Sequence, residues 1–250
     1  IADLDAHIAA GTLDAAGAKA AAGEAVDEAT LTFLPPLARA GKVICLGLNY
    51  ADHAAEANLD VPEFPTIFAR FASNLIGHNA PILKPKTSDQ LDYEGEMVAV
   101  IGKRAKNVPA SEALSHVMGY SIFNDGSVRD YQLKTPQWTA GKNFDNTGSF
   151  GPWLVTADEL PAGGEGLKIE TRLNGNIMQS ASTDQMIFNV EQTVTLLSSF
   201  LTLEPGDVLV MGTPSGIGLA RNPPVFMKDG DVVEVEIENI GLLRNPVAAE

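Results

Sequence analysis

The run "LDYEGEMVAVIG", residues 91–102, decides how the rest of the chain is read. From Met97 to Ile101 it is uninterrupted apolar sequence, the texture of a strand destined for the interior. Successive strand side chains point to opposite faces, so Glu94 and Glu96 point the same way and Val98 and Val100 continue that face. Two carboxylates therefore head an apolar surface. Such a pair repels itself, and burying either without a partner costs several kcal/mol, so something positive must lie beside them.

The bulk properties bound what that can be. A chain of 250 residues can bury a large core, and 45% apolar with 20% charged residues excludes a disordered chain or a coiled coil. No apolar run reaches the roughly eighteen residues of a membrane helix. The opening "IADLDAHIAA" has neither a basic segment nor an apolar one of signal-peptide type, so no secretory signal is expected. The single Cys45, set in the apolar run "KVICLGL", fits a buried thiol in a reducing compartment, and the expected location is cytoplasmic. A formal net charge of −15 argues against nucleic acid or an anionic membrane as partner. Any anionic substrate then needs local basic residues or a bound cation to reverse the field.

Residues 1–40 are Ala-rich, with helix formers punctuated by Gly, and are expected to form a small helical appendage without chemistry of its own. From 41 to 250 the texture changes to short apolar runs separated by Gly, Pro, Asn and Asp, which predicts one β-rich, mixed α/β domain. The clearest helix there is "FNVEQTVTLLSSFLTLEPG", where Val190, Val194, Leu197 and Leu201 recur at spacings of four, three and four.

A third carboxylate, Asp125 in "FNDGSVRDYQ", ends an apolar run and precedes Gly126, where the chain can turn. With Glu94 and Glu96 it makes an oxygen-rich site suited to Mg2+, with Mn2+ or Ca2+ as alternatives. Spacing alone favours a plainer reading, a solvated strand end and an ordinary turn. In "GLNYADHAAEANLDVPEFP", Asn49 and Asp52 are available to cap a short helix that Pro62 and Pro65 stop, and His53 and Glu56 share one of its faces. A carboxylate beside an imidazole makes a general base for water, though an exposed pair fits the same spacing equally well.

The stretches "GLNYADHAAE", "DYEGEMVAVIG", "FNDGSVRDYQ", "QWTAGKNFDNTGSFGPWLVT", "TRLNGNIMQSAST" and "GDVLVMGTPSGIG", in that order, closely resemble the fumarylacetoacetate hydrolase family over residues 41–240. That resemblance implies a β-roll catalytic domain in a homodimer, and a divalent metal held by Glu94, Glu96 and Asp125. It assigns the catalytic dyad to His53 and Glu56, the active-site lysine to Lys142, and substrate contacts to Arg129 and Gln132. The loop "MGTPSGIG" could hold a carboxylate through its N–H groups and the Thr213 hydroxyl, but its glycines lack dinucleotide spacing, so no NAD is expected. Where many members read F-x-K-P, this chain has "FARF"; Arg70 replaces the lysine and is expected to add positive charge for the substrate.

The expected activity is hydrolysis of a carbon–carbon bond in a 2,4-dioxo acid of acylpyruvate type, with metal-dependent polarisation of the dioxo group. His53, oriented by Glu56, would activate water, and Lys142 with Gln132 would stabilise the oxyanion. The alternatives are decarboxylation of an oxaloacetate-type acid, isomerisation of a 2-hydroxy-dienoate, or a noncatalytic metabolite-binding protein with the same metal site.

Overall fold

The computed structural model describes residues 4–56 and 63–250. The expected helix stop at Pro62 lies outside them. A seven-stranded sheet carries the site, in the order β2 (Thr66–Arg70), β1 (Val43–Gly47), β12 (Val208–Val210), β6 (Gly95–Ile101), β7 (Val117–Asp125), β9 (Gly148–Thr156) and β3 (Leu75–Ile76). The stretch that opened the sequence reading is thus the middle strand. A five-stranded sheet, β11 (Asn176–Ser182), β10 (Lys168–Leu173), β13 (Val232–Ile237), β14 (Gly241–Ala249) and β4 (Ile82–Lys84), packs against it, and β5 (Leu91–Asp92) pairs with β8 (Ser127–Val128). The expected strand-rich, mixed α/β fold is what forms.

Both faces of β6 are buried, which explains its unbroken apolar run. Met97, Ala99 and Ile101 join a cluster with Ile169, Val235 and Leu243 of the second sheet and with Val194 and Leu197. Val98 and Val100, on the face headed by Glu96, pack with Cys45, Phe123 and Val210. The same cluster takes in Ile8 and Leu37, so the N-terminal segment, with helices α1 (Leu4–Ala10) and α2 (Leu13–Ala21), covers part of the core.

The other α-helices among the described residues are α3 (Ala51–Glu56), α4 (Ala110–Ala113), α5 (Arg129–Gln132), α6 (Thr139–Lys142) and α7 (Val190–Phe200). The periodic segment forms α7, which is capped by Asn189, whose side chain accepts from the Gln192 N–H, and buries Val190, Val194 and Leu197. Leu201 lies just past its last turn.

Candidate active site

Antiparallel pairing assembles the acid cluster. β6 and β7 run with Gly95 opposite Asn124 and Glu96 opposite Phe123, so the end of β7 delivers Asp125 beside Glu94, where its N–H donates to the Glu94 carbonyl at 2.8 Å. Asn124 Oδ1 accepts from the Glu94 N–H at 3.0 Å, and Gln179 Oε1 accepts from the Gly95 N–H between the two glutamates at 3.0 Å. Gly126 follows, and a Cβ there would collide with the Thr147 carbonyl. Its role is therefore close approach to a neighbouring chain segment. Ligand oxygens of Glu94, Glu96 and Asp125 lie within 4.8 Å of one another, all buried.

Basic side chains surround this cluster. Arg129 donates from Nε to Asp92 at 2.8 Å and from Nη1 to Glu94 Oε1 at 2.7 Å and Gln132 Oε1 at 2.9 Å. Its Nη2 is buried without a hydrogen-bond partner. Lys142 Nζ donates to Glu94 Oε2 at 2.7 Å and Asp125 Oδ2 at 2.6 Å. Arg70 pairs with Asp125 Oδ1 and donates to the Thr147 hydroxyl at 2.8 Å and the Gly126 carbonyl at 3.1 Å. Its side chain is fully buried behind Asp125 and is not part of the cavity wall. The substrate contact expected of Arg70 is thus corrected, because its guanidinium is occupied in holding Asp125.

The charges do not balance. Asp92, Glu94, Glu96 and Asp125 make four carboxylates against three cations, Arg70, Arg129 and Lys142. The excess falls on Glu96, which has no cationic partner among the described residues and accepts from the Gly212 N–H at 2.5 Å. Burial pushes its carboxyl well above the ordinary range, and repulsion from Asp125 and Glu94 adds to the rise. Burial also pushes Glu94 up, but Lys142 and Arg129 outweigh it and bring that carboxyl down to about 2. For Lys142, burial disfavours the ammonium and the Asp125 and Glu94 charges more than restore it, so its pKa is raised. A converging set of hard oxygen donors with one uncompensated negative charge fits a divalent cation.

Above the acids is a cavity of about 280 Å³, whose wall includes His53, Glu94, Glu96, Arg129, Gln132 and Lys142, with Phe68, Trp138 and Ile217 among its apolar parts. His53 Nδ1 is 3.3 Å from Glu56 Oε2, and the Gly216 N–H reaches Glu56 at 3.0 and 3.2 Å. His53 and Glu56 are thus paired on α3, and His53 lines the same cavity as Glu94 and Glu96. Asn49 does not cap α3: its side chain accepts from the Phe188 N–H at 2.8 Å and donates to the Phe188 and Met211 carbonyls at 2.9 and 2.7 Å.

The glycine loop expected to cradle a carboxylate lines the cavity through Thr213, Ile217 and Leu219. Its N–H groups hold the protein's own acids: Gly212 takes Glu96, Gly216 takes Glu56, and Gly218 and Leu219 take Asp92 at 2.8 and 2.9 Å. Gly216 has φ of 102°, a conformation that favours glycine, and a Cβ would meet the Met178 carbonyl. The Thr213 hydroxyl donates to the Gly95 carbonyl at 3.0 Å and accepts from Gln179 Nε2 at 2.8 Å. Sequence reasoning missed Asp92 and Gln179. Asp92 ties this loop to Arg129, and the only signal for it was an acid within a strand otherwise bound for the interior.

The fold and this acid-rich cavity define an enzyme of small molecules with a place for a divalent cation. The chain belongs to the fumarylacetoacetate hydrolase family: the family model described as Fumarylacetoacetate (FAA) hydrolase C-terminal matches residues 42–248. It is 47% identical over 219 residues to the Bos taurus protein named oxaloacetate tautomerase FAHD2A, mitochondrial, covering 87% of this chain and 69% of the relative. With the Rattus norvegicus protein of that description the identity is 45% over 223 residues, covering 89% and 71%. Among solved structures, 2-hydroxyhepta-2,4-diene-1,7-dioate isomerase from Mycobacterium marinum matches with a TM-score of 0.75 and 38% identity, over 87% of this chain and 77% of that one. Fumarylacetoacetate hydrolase from Exiguobacterium antarcticum matches with a TM-score of 0.79 and 39% identity, over 91% and 84%. The cytoplasmic location expected from the sequence is corrected by the Bos taurus and Rattus norvegicus relatives, whose names place those proteins in mitochondria.

Proposed function

We propose that this enzyme catalyses proton transfer at the carbon next to the keto group of a 2-oxo acid, interconverting the keto and enol forms of an oxaloacetate-type diacid. The observation that carries the reading is the single cavity wall shared by His53, Lys142, Glu94 and Glu96, with Glu56 behind His53 and Asp125 behind Lys142. The names of the relatives, which include oxaloacetate tautomerases and a diene-dioate isomerase, point to the same enol chemistry.

Glu94, Glu96 and Asp125 would hold the cation, Mg2+ with Mn2+ or Ca2+ as alternatives, and when bound it supplies Lewis acidity that lowers the energy of the enolate. His53 takes or returns the carbon-bound proton at its imidazole, while Glu56, anchored by the Gly216 N–H, fixes the tautomer and supports the imidazolium. The Arg129 Nη2, buried and unpartnered, is a donor for the substrate carboxylate, and Gln132 sits beside it. Lys142 supplies a positive charge for the oxygen that becomes anionic. Phe68, Trp138 and Ile217 exclude water from the reacting carbon. The chain acts as a homodimer in this proposal, which light scattering of the purified protein checks.

A second reading, hydrolysis of an acylpyruvate, keeps every residue in place and turns the His53 base on water. The dyad favours it, since a charge-supported imidazole suits water activation. Solvent-deuterium exchange at the enolisable carbon of oxaloacetate, measured by NMR beside acylpyruvate consumption, separates the two. Metal-dependent exchange without acylpyruvate cleavage supports the first reading. Cleavage with no accelerated exchange supports the second, and neither activity overturns both.

A further inference from the structure

Each acid of the triad has one oxygen taken by a fixed donor. Arg129 holds Glu94 Oε1 at 2.7 Å, the Gly212 N–H holds Glu96 Oε2 at 2.5 Å, and Arg70 holds Asp125 Oδ1. That leaves Glu94 Oε2, Glu96 Oε1 and Asp125 Oδ2. The Lys142 ammonium stands on the first and last of these, at 2.7 and 2.6 Å.

The arginines and the lysine are held differently. Arg129 is also locked to Asp92 and Gln132, and Arg70 to Thr147 and the Gly126 carbonyl. Lys142 Nζ has two hydrogen-bond partners, both in the acid cluster, and the Phe68 ring 5.0 Å away. Its backbone is pinned, since a Cβ on the neighbouring Gly141 would collide with Gln132, but a four-carbon stem lets the ammonium move. An ammonium and a divalent ion on the same inner oxygens would repel each other strongly in this buried setting.

We propose that the Lys142 ammonium is a resident counter-ion of the triad, exchanged against the divalent cation. It holds Glu94 and Asp125 together while the cation is absent, and is released from them when the cation enters, free to meet the anionic oxygen of a substrate. Cation loading thereby arms the lysine. The inference rests on the reading of the triad as a cation site, and extends it to how the apo protein tolerates its buried acids.

The test compares wild type with Lys142→Gln by calorimetric titration with Mn2+ and by thermal unfolding with chelator and with saturating Mn2+. Removing the competing charge should tighten Mn2+ binding by at least about tenfold. The variant should melt below wild type in chelator, with the gap closing in Mn2+. Unchanged or weaker binding, or an equal gap in both states, overturns the exchange. Should the variant fail to fold, NMR of wild type carrying 15N-lysine decides: the Lys142 ammonium signal is expected to shift or vanish on adding Mg2+, and an unmoved signal overturns the proposal. Wild type that takes up no Mn2+ overturns the cation site and this inference together. Wild type that binds Mn2+ with no tighter binding in the variant overturns the exchange alone.

Discussion

Asp92→Asn isolates the acid that joins the glycine loop to the site. Asp92 Oδ1 accepts from the Tyr93 and Gly218 N–H groups, both at 2.8 Å, and Oδ2 accepts from Arg129 Nε at 2.8 Å and Leu219 N–H at 2.9 Å. The asparagine keeps the volume, so no cavity forms. One of its two polar ends is an NH2 that cannot accept, and whichever pair of donors faces it is left buried and unpaired. A charge-assisted bond is worth about 1.5–3 kcal/mol and breaking a buried ion pair about 3–5 kcal/mol, so the loss should be about 3–5 kcal/mol. That is a large share of the roughly 5–15 kcal/mol of a typical domain. Urea unfolding of chelated protein, followed by circular dichroism, measures it. A loss under about 1 kcal/mol refutes the reasoning, since the donors would then have found water or other partners.

His53→Ala should lower turnover by roughly 10²–10⁴-fold while leaving Mn2+ affinity unchanged. Weakened Mn2+ binding would place His53 among the ligands, and calorimetry beside kinetics checks both. Glu96→Gln should abolish tight Mn2+ binding yet leave the chelated protein at least as stable as wild type, because it removes a buried carboxyl whose ionisation no cation offsets. The pH dependence has a definite sign. Glu96 is raised in the metal-free fold, so its contribution to stability is present below the ordinary 4.5 and lost as pH rises through the raised value. Glu94, lowered to about 2, contributes above 4.5 and loses that contribution as pH falls through about 2. Mn2+ binding must expel the Glu96 proton, so calorimetry in buffers of different ionisation enthalpy should show proton release, with affinity rising with pH until Glu96 is ionised.

The acid triad was legible because two simple rules act on it. Strand alternation put Glu94 and Glu96 on one face, and an acid closing another apolar run could be paired with them. The helix at 190–200 was legible from its periodicity. Arg70 was not, because a sequence tells that a strand ends in a cation but not whether the side chain turns toward the cavity or behind a ligand. The loop at 212–219 was read as a substrate cradle; its donors go to Glu96, Glu56 and Asp92, acids separated from it by more than ninety positions, and no local pattern encodes such partners. Asn49 looked like a helix cap for the same reason: capping is a local rule, and here its amide is claimed by Phe188 and Met211.

The central claim is that Glu94, Glu96 and Asp125 hold the cation on which the chemistry depends. Crystals grown with Mn2+ test it directly through anomalous diffraction collected where manganese scatters and the protein's light atoms do not. The account predicts one strong peak about 2.0–2.3 Å from an oxygen of each of the three carboxylates, within the range of hard divalent ions. A peak at other residues, or none at a Mn2+ concentration that saturates turnover, would contradict it.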